Sequence, residues 1–467
     1  MSVERDDQPD ASIALAEMVA STGAADLPSA ALNAARYDIL DTLGCGIAGR
    51  TAMGVAEVTA VLLGQGGVEG SAVWGSGSLL PAAQAAFVNG MASHALDYDD
   101  IHPGVTHTGV SVIPAALAAA EAAGVTDIAE VVAAVVTATE VADRIALAVT
   151  DGPGVTGWLL TPLVGYFGAA AAAARMFGLA ADKTLNALGF AYVQTSGNGQ
   201  STLDGALAKR MQPGFAARGG VFGAELSRAG LTAPTNGLEG PRGFYNVYHR
   251  GRYDPVPLRR HDSDGWLIER ATYKPYPCCG WTHAALECAV WFAEQGIAAA
   301  DIRRIEVGTN AQAYRSVGTP LPRRYNPQTP VDAQFSIPYT FATAFVTGGI
   351  ALADFSDAAL RRPEVLELAA LVRADIDPQL DAEYGRVLSP ARAVVHLADG
   401  STLEHVVVDP RGGETRPLTQ EQLRTKYAEC CDAAGLRTDV ADQIAELVLG
   451  TTRGSVQELC ELLRAAP

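Results

Sequence analysis

The chain has 467 residues, 48% of them hydrophobic, with 34 basic against 52 acidic side chains and a net charge of −18. Such a length allows two or three domains around a large core, and the apolar content excludes an intrinsically disordered chain. The acidic balance excludes nucleic acid and an anionic membrane surface as partners, since both require basic patches; a small anionic substrate needs only a local cluster of cations.

The first ten residues, MSVERDDQPD, are acidic and lack an apolar stretch, so no signal peptide is expected. From about residue 12 to 230 the sequence reads as helices. In AALNAARYDILDTLGCGIAG, Leu32, Ala35, Ile39, Leu43 and Ile47 recur at helical spacing. AAQAAFVNGMASHAL, SVIPAALAAAEAAG, DIAEVVAAVVTATEVADRIALAV and TPLVGYFGAAAAAARMFGL follow, most of them ended by glycine. The last is alanine-heavy and interrupted by Arg175, which predicts a buried helix and not a membrane span. Near residue 255 proline and glycine become frequent. RRIEVGTN and ARAVVHLADGSTLEHVVVD read as strands, the second as a hairpin turning at ADGS, with THAALECAVWFAEQG and IPYTFATAFVTGG as helices between them. TQEQLRTKYAECCDAAG and the tail are helical again. The expectation is a mostly α protein: a large helical domain from residues 1–267 and 411–467, and a smaller α+β domain over 268–410.

Seven cysteines, two adjacent pairs among them, form no disulfide framework and match no zinc or iron–sulfur spacing, so a reducing, cytoplasmic setting is expected. Four lysines, Lys183, Lys209, Lys274 and Lys426, stand among the 34 basic residues. A lysine kept in an arginine-rich chain suggests a task for a compact ammonium.

Three stretches concentrate chemistry. HALDYDDIHPGVTH, His94 to His107, holds three of the chain's eight histidines beside Asp97, Asp99 and Asp100. It is no EF-hand, because His102 occupies the position that needs glycine and no glutamate closes the loop. A two-histidine, one-carboxylate metal site, an acid–base site and a helix-capping turn all remain open. LAKRMQPGFAARGG sets Lys209, Arg210 and Arg218 at a helix start, where cations oppose the macrodipole; a carboxylate site or an ordinary charged loop would each account for them. In YKPYPCCGWTHAAL, Lys274, Cys278, Cys279 and His283 border a proline-stiffened loop, where adjacent cysteines are packing residues or a thiol nucleophile.

Together with GLEGPRGFY and NPQTPVDAQFSIPYTFATAF, these stretches resemble the MmgE/PrpD family from about residue 30 to 450. The family includes 2-methylcitrate dehydratase, cis-aconitate decarboxylase and iminodisuccinate epimerase. The resemblance implies a helical domain with an α+β lid, a site between them, a homodimer, and no metal or organic cofactor. It implies Asp97, His107, Lys209 and Lys274 as catalytic residues. It places Tyr98, Ile101, His102, Leu159, Thr161, Arg210, Gln212, Cys279 and His283 around the substrate. Leu159, Ile101 and Cys279 depart from the family pattern toward a less polar pocket.

The expected activity is a lyase on a hydroxy di- or tricarboxylate, acting by proton abstraction next to a carboxylate. The alternatives are an epimerase of a substituted succinate, a decarboxylase of an aconitate-like acid, and a non-catalytic ligand-binding relative. Lys274 is expected to be an exposed loop cation whose removal leaves folding intact. The alanine-rich helices near 109–180 are expected to offer surplus small-residue surface to a second copy.

Overall fold

The computed structural model describes residues 9–68, 70–151, 156–260, 264–384, 389–450 and 454–465. Two apolar cores organise it. The first gathers the helices Ser29–Gly49, Ala82–His94, Gly109–Ala123, Ile128–Leu147, Leu160–Met176, Ala181–Gln194 and Ala208–Arg228. Ala208–Arg228 lies against four of these, Leu160–Met176, Ala82–His94, Ala181–Gln194 and Gly109–Ala123. The last helices come back to this core: Gln420–Ala433 and Thr438–Leu449 pack on Ser29–Gly49, and Val456–Ala465 on Gly109–Ala123.

The reason for the close packing is side-chain size. Alanine and glycine fill the contact faces, so helix axes approach closely without losing density. Ala169 to Ala174 are all fully buried. The helices expected to leave small-residue surface for a partner are instead covered within the chain, because Gly109–Ala123, Ile128–Leu147 and Leu160–Met176 bury residues on nearly every side. Large exposed apolar side chains stand elsewhere: Phe215 and Phe222, seven residues apart on Ala208–Arg228, with Val193 and Val247. Among the described residues, no helix is long and apolar enough to cross a membrane.

The second core is a four-stranded sheet in the order Val372–Ile376, Ile302–Thr309, Ala391–Leu397, Thr402–Val407. The first pair is parallel and the others antiparallel. The hairpin turns at residues 398–401, with Gly400 at φ 89° and Leu397 N donating to Ser401 O at 2.9 Å. Ala391, Ala393 and Val395 point inward, alternating with partly exposed neighbours, against the helices His283–Glu294 and Ile337–Thr347. The strand Val372–Ile376 escapes the sequence reading because its VRADI carries two charges and one buried position, Val372.

Candidate active site

The site begins with two helices that nearly touch. A Cβ on Gly214 would lie 2.5 Å from Phe87 O, and one on Gly90 2.8 Å from Val110 O and 3.2 Å from Gly214 Cα. Glycine at both positions is what lets Ala82–His94 and Ala208–Arg228 approach, and the approach brings His94 beside Lys209. Lys209 Nζ donates to His94 Nε2 at 2.9 Å. Beyond His94 the chain reverses through Asp97, a left-handed residue at φ 51°. Such a conformation costs a non-glycine residue about 1–3 kcal/mol. It turns the Asp97 carboxylate back between two ammonium groups: Lys209 Nζ on Oδ2, and Lys274 Nζ on Oδ1 at 2.7 Å.

Lys274 arrives from the far side by a short β pairing. Asp100 pairs with Tyr273 and Ile101 with Thr272, antiparallel. The residue after this pair is Lys274, which also donates to Asp97 O at 3.1 Å and lies 3.7 Å from Asp99 Oδ1. It is 1% exposed. The expectation of an exposed loop cation is therefore wrong: prolines 275 and 277 stiffen a loop that is buried by the pairing. Burial alone would raise the pKa of Asp97, but Lys209 and Lys274 outweigh it and hold the carboxyl far below its usual range. Burial would likewise lower that of Lys274, yet Asp97 and Asp99 raise it.

From the second core, Gln334 Nε2 donates to Leu96 O at 2.7 Å, and the ring of Phe335 lies 4.6 Å from Lys209 Nζ. Part of the NPQTPVDAQFS stretch thus serves the site.

Asp99 orients the histidines. Its Oδ2 accepts from His94 Nδ1 at 2.8 Å and lies 3.3 Å from His107 Nδ1, which also donates to Asp100 O at 2.5 Å. With Nδ1 so engaged, His107 keeps Nε2 without a partner among the described residues, and 21% of the side chain is exposed. Desolvation and the Lys274 charge push its pKa down to about 4. His107 is thus a neutral imidazole at neutral pH.

The next acid faces the other way. Asp100 Oδ2 lies 2.7 Å from His102 Nε2 as an ion pair and accepts from Gly109 N at 2.8 Å. His102 Nδ1 is 3.0 Å from Asp143 Oδ2, and Nε2 is 3.5 Å from Asp38 Oδ2. Burial opposes charge on this ring, but Asp143, Asp38 and Asp100 outweigh it and keep it an imidazolium. Beside it Lys426 pairs with Asp41 at 2.7 Å. The ligand atoms of Asp38, Asp100 and His102, and those of Asp99, Asp100 and His107, lie close enough to suit a cation. In the first group both ring nitrogens already face carboxylates, so a proton fills the cation's place. In the second, Asp99 and Asp100 are spent on orienting rings and backbone.

A cavity of about 450 Å³ opens above this layer, between the cores. Of the expected residues, His107, Lys274, Ile101, His102, Cys279 and His283 line it. Asp97 and Lys209 lie beneath, tied to Lys274 and not at the wall. Tyr98 packs against Cys45 and Cys430 with Lys426 over its ring at 4.2 Å. Thr161 accepts from His107 N at 3.1 Å and so holds the histidine's backbone. Arg210 donates to Met53 O, and Gln212 bridges Asn198 and Ser201. Leu159 precedes the helix Leu160–Met176, and its neighbour Leu160 reaches the wall instead. Burial pushes the Cys279 thiol up to about 12, and Cys278 is raised too, so neither is a ready nucleophile. Sequence reasoning left His94 open only as a histidine of the possible metal site and missed its bridge from Lys209 to Asp99; the i, i+5 spacing to Asp99 across a helix end was the available signal. It also missed Arg270, Trp158 and Trp281 on the cavity wall.

Comparison with known proteins gives these residues a context. The chain matches the model of the MmgE/PrpD N-terminal domain over residues 13–255 and that of the C-terminal domain over 276–451. It is 29% identical to a cis-aconitate decarboxylase of Aspergillus terreus, over 94% of this chain and 92% of that protein. The human cis-aconitate decarboxylase is also 29% identical, over 83% and 81% respectively. A 2-methylcitrate dehydratase of Cupriavidus necator is 28% identical, over 85% and 86%. Matched along both of its halves by the family's two domains, the chain belongs to the MmgE/PrpD family.

Proposed function

We propose that this protein is a cofactor-independent carbon–oxygen lyase that dehydrates a hydroxy di- or tricarboxylate. The observation that carries the reading is His107: a neutral ring, fixed through Nδ1 by Asp99 and Asp100, with Nε2 free at a cavity wall beside the Lys274 ammonium. A proton next to a carboxylate is weakly acidic, so its removal needs a base together with a cation for the charge that forms. His107 takes the proton. The electron pair left on carbon expels hydroxide from the neighbouring carbon, and the imidazolium returns the proton to it as water. Lys274, backed by Asp97 and Lys209, stabilises the carboxylate as charge develops.

A decarboxylase is the second reading, favoured by the names of relatives at 29% identity, against 28% for the dehydratase. There a carbon–carbon bond breaks and carbon must receive a proton. A histidine pushed down to about 4 is poorly loaded as a donor at neutral pH, which is why dehydration stands first. The same reading takes residues 268–410 as a lid over a helical domain of residues 1–267 and 411–467. It takes the protein as a cytoplasmic homodimer; seven free, buried thiols suit a reducing compartment.

The test is incubation with citrate-, aconitate- and succinate-like acids, followed by NMR. Loss of water is expected. Loss of carbon dioxide would establish the second reading. Proton exchange without net loss would mean an epimerase, and silence on every acid would mean a binding protein.

A further inference from the structure

The centre of the site is balanced in charge. Lys209 and Lys274 face Asp97 and Asp99, and two of the three donors of each lysine are already engaged. A substrate with two or three carboxylates brings more negative charge than this centre meets. Of the other cations on the cavity wall among the described residues, His102 is enclosed by three carboxylates, which leaves Arg270 and Arg411 at its mouth.

Arg270 ends the short turn Leu267–Arg270, whose Ile268 belongs to the first core. Glu414 faces it from the loop that follows the strand Thr402–Val407. The pair is a single 3.4 Å contact between side chains 51% and 57% exposed. The loop itself is held firmly. Gly412 has φ 81°, and a Cβ there would lie 2.5 Å from Tyr273 O and 2.7 Å from Pro275 Cδ, so the loop backbone rests on the stretch that carries Lys274. Glu287 accepts from Arg411 N at 2.6 Å and Arg416 at 2.9 Å, and Asp409 accepts from Thr415 N at 2.8 Å. Among the loop's acids, Glu414 has the weak, exposed partner. An exposed pair of this kind is worth about 0–1 kcal/mol. A guanidinium binds an incoming carboxylate better, through two parallel N–H donors.

We propose that Arg270 is the specificity-determining cation of the cleft, releasing Glu414 to bind the carboxylate of the substrate farthest from the reacting carbon. This rests on the carboxylate-lyase reading and adds a subsite to it. Glu414 then acts as a competitor for Arg270, so the two residues have opposite effects on affinity.

The experiment is calorimetric titration of the full chain with propane-1,2,3-tricarboxylate, which has neither a hydroxyl to lose nor a double bond, and with butyrate, which lacks the distal carboxylates. Arg270→Gln should weaken the tricarboxylate about tenfold or more. Glu414→Gln should tighten it, and neither should alter butyrate binding; thermal melts confirm that both variants fold. Unchanged tricarboxylate affinity in Arg270→Gln, equal losses for the two probes, or no binding of the tricarboxylate by the wild type would each overturn the proposal. Arg270-dependent binding without turnover of any acid would overturn the lyase reading and leave the subsite standing.

Discussion

Asp97 holds two lysines at once, and this governs how the site responds to substitution. Removing Lys274 leaves two buried carboxylates with one ammonium, so Lys274→Met should lose stability as well as turnover. Breaking a buried pair costs about 3–5 kcal/mol, and losing a donor to a developing anion costs about a hundredfold or more in rate. The two effects separate in the double variant with Asp97→Asn: thermal melting should recover much of the loss, and turnover should not. A double variant that regains activity would show that Lys274 serves only to neutralise Asp97. His107 sets the pH profile. It acts as a base when unprotonated, and its folded pKa is about 4 instead of 6.5, so kcat/KM should stay level below neutral pH and fall as pH drops through about 4. An acid limb near 6.5 would show that the ring is not held neutral.

At the scale of elements, the loop between Ala82–His94 and Gly109–Ala123 splits adjacent acids between two tasks. Asp99 turns to the cavity layer and Asp100 to a buried cage. His102 is the centre of that cage and carries its positive charge among Asp38, Asp100 and Asp143. His102→Gln should therefore destabilise the fold by about 3–5 kcal/mol, read by chemical denaturation; a loss below about 1 kcal/mol would mean the cage holds no charge. The sequence made the clustering of these residues legible, because one fourteen-residue stretch carries most of them. It did not separate His102 from His107, since that depends on Asp38 and Asp143, which lie on other helices. Nor did it bury Lys274, since a two-residue β pairing between positions about 170 apart leaves no periodic signal. The long helices were legible from their 3.6-residue spacing, and the 391–407 hairpin from its alternation and turn. The rarity of lysine was a sound guide: Lys209, Lys274 and Lys426 are all buried against carboxylates, where a compact ammonium fits.

At the scale of the molecule, the cavity lies between two cores, and its wall takes residues from both. The proposed lid carries Lys274, which is already bonded to Asp97 of the helical domain, so the charge balance is in place before any substrate enters. The proposed dimer has Phe215, Phe222, Val193 and Val247 as its exposed apolar candidates. Light scattering should report a dimer at micromolar concentration, and Phe222→Asp should weaken it; a wild-type monomer would leave those side chains unexplained. The central claim is that His107 removes a proton from carbon next to a carboxylate. The most direct measurement is NMR of the reaction in deuterated water with the acid that is turned over, wild type against His107→Ala, stopped at partial conversion and run in the direction that adds water. The wild type should place deuterium on the carbon beside the carboxylate, and His107→Ala, folded by its melting profile, should place none. Deuterium incorporation by His107→Ala at the wild-type rate would contradict the account.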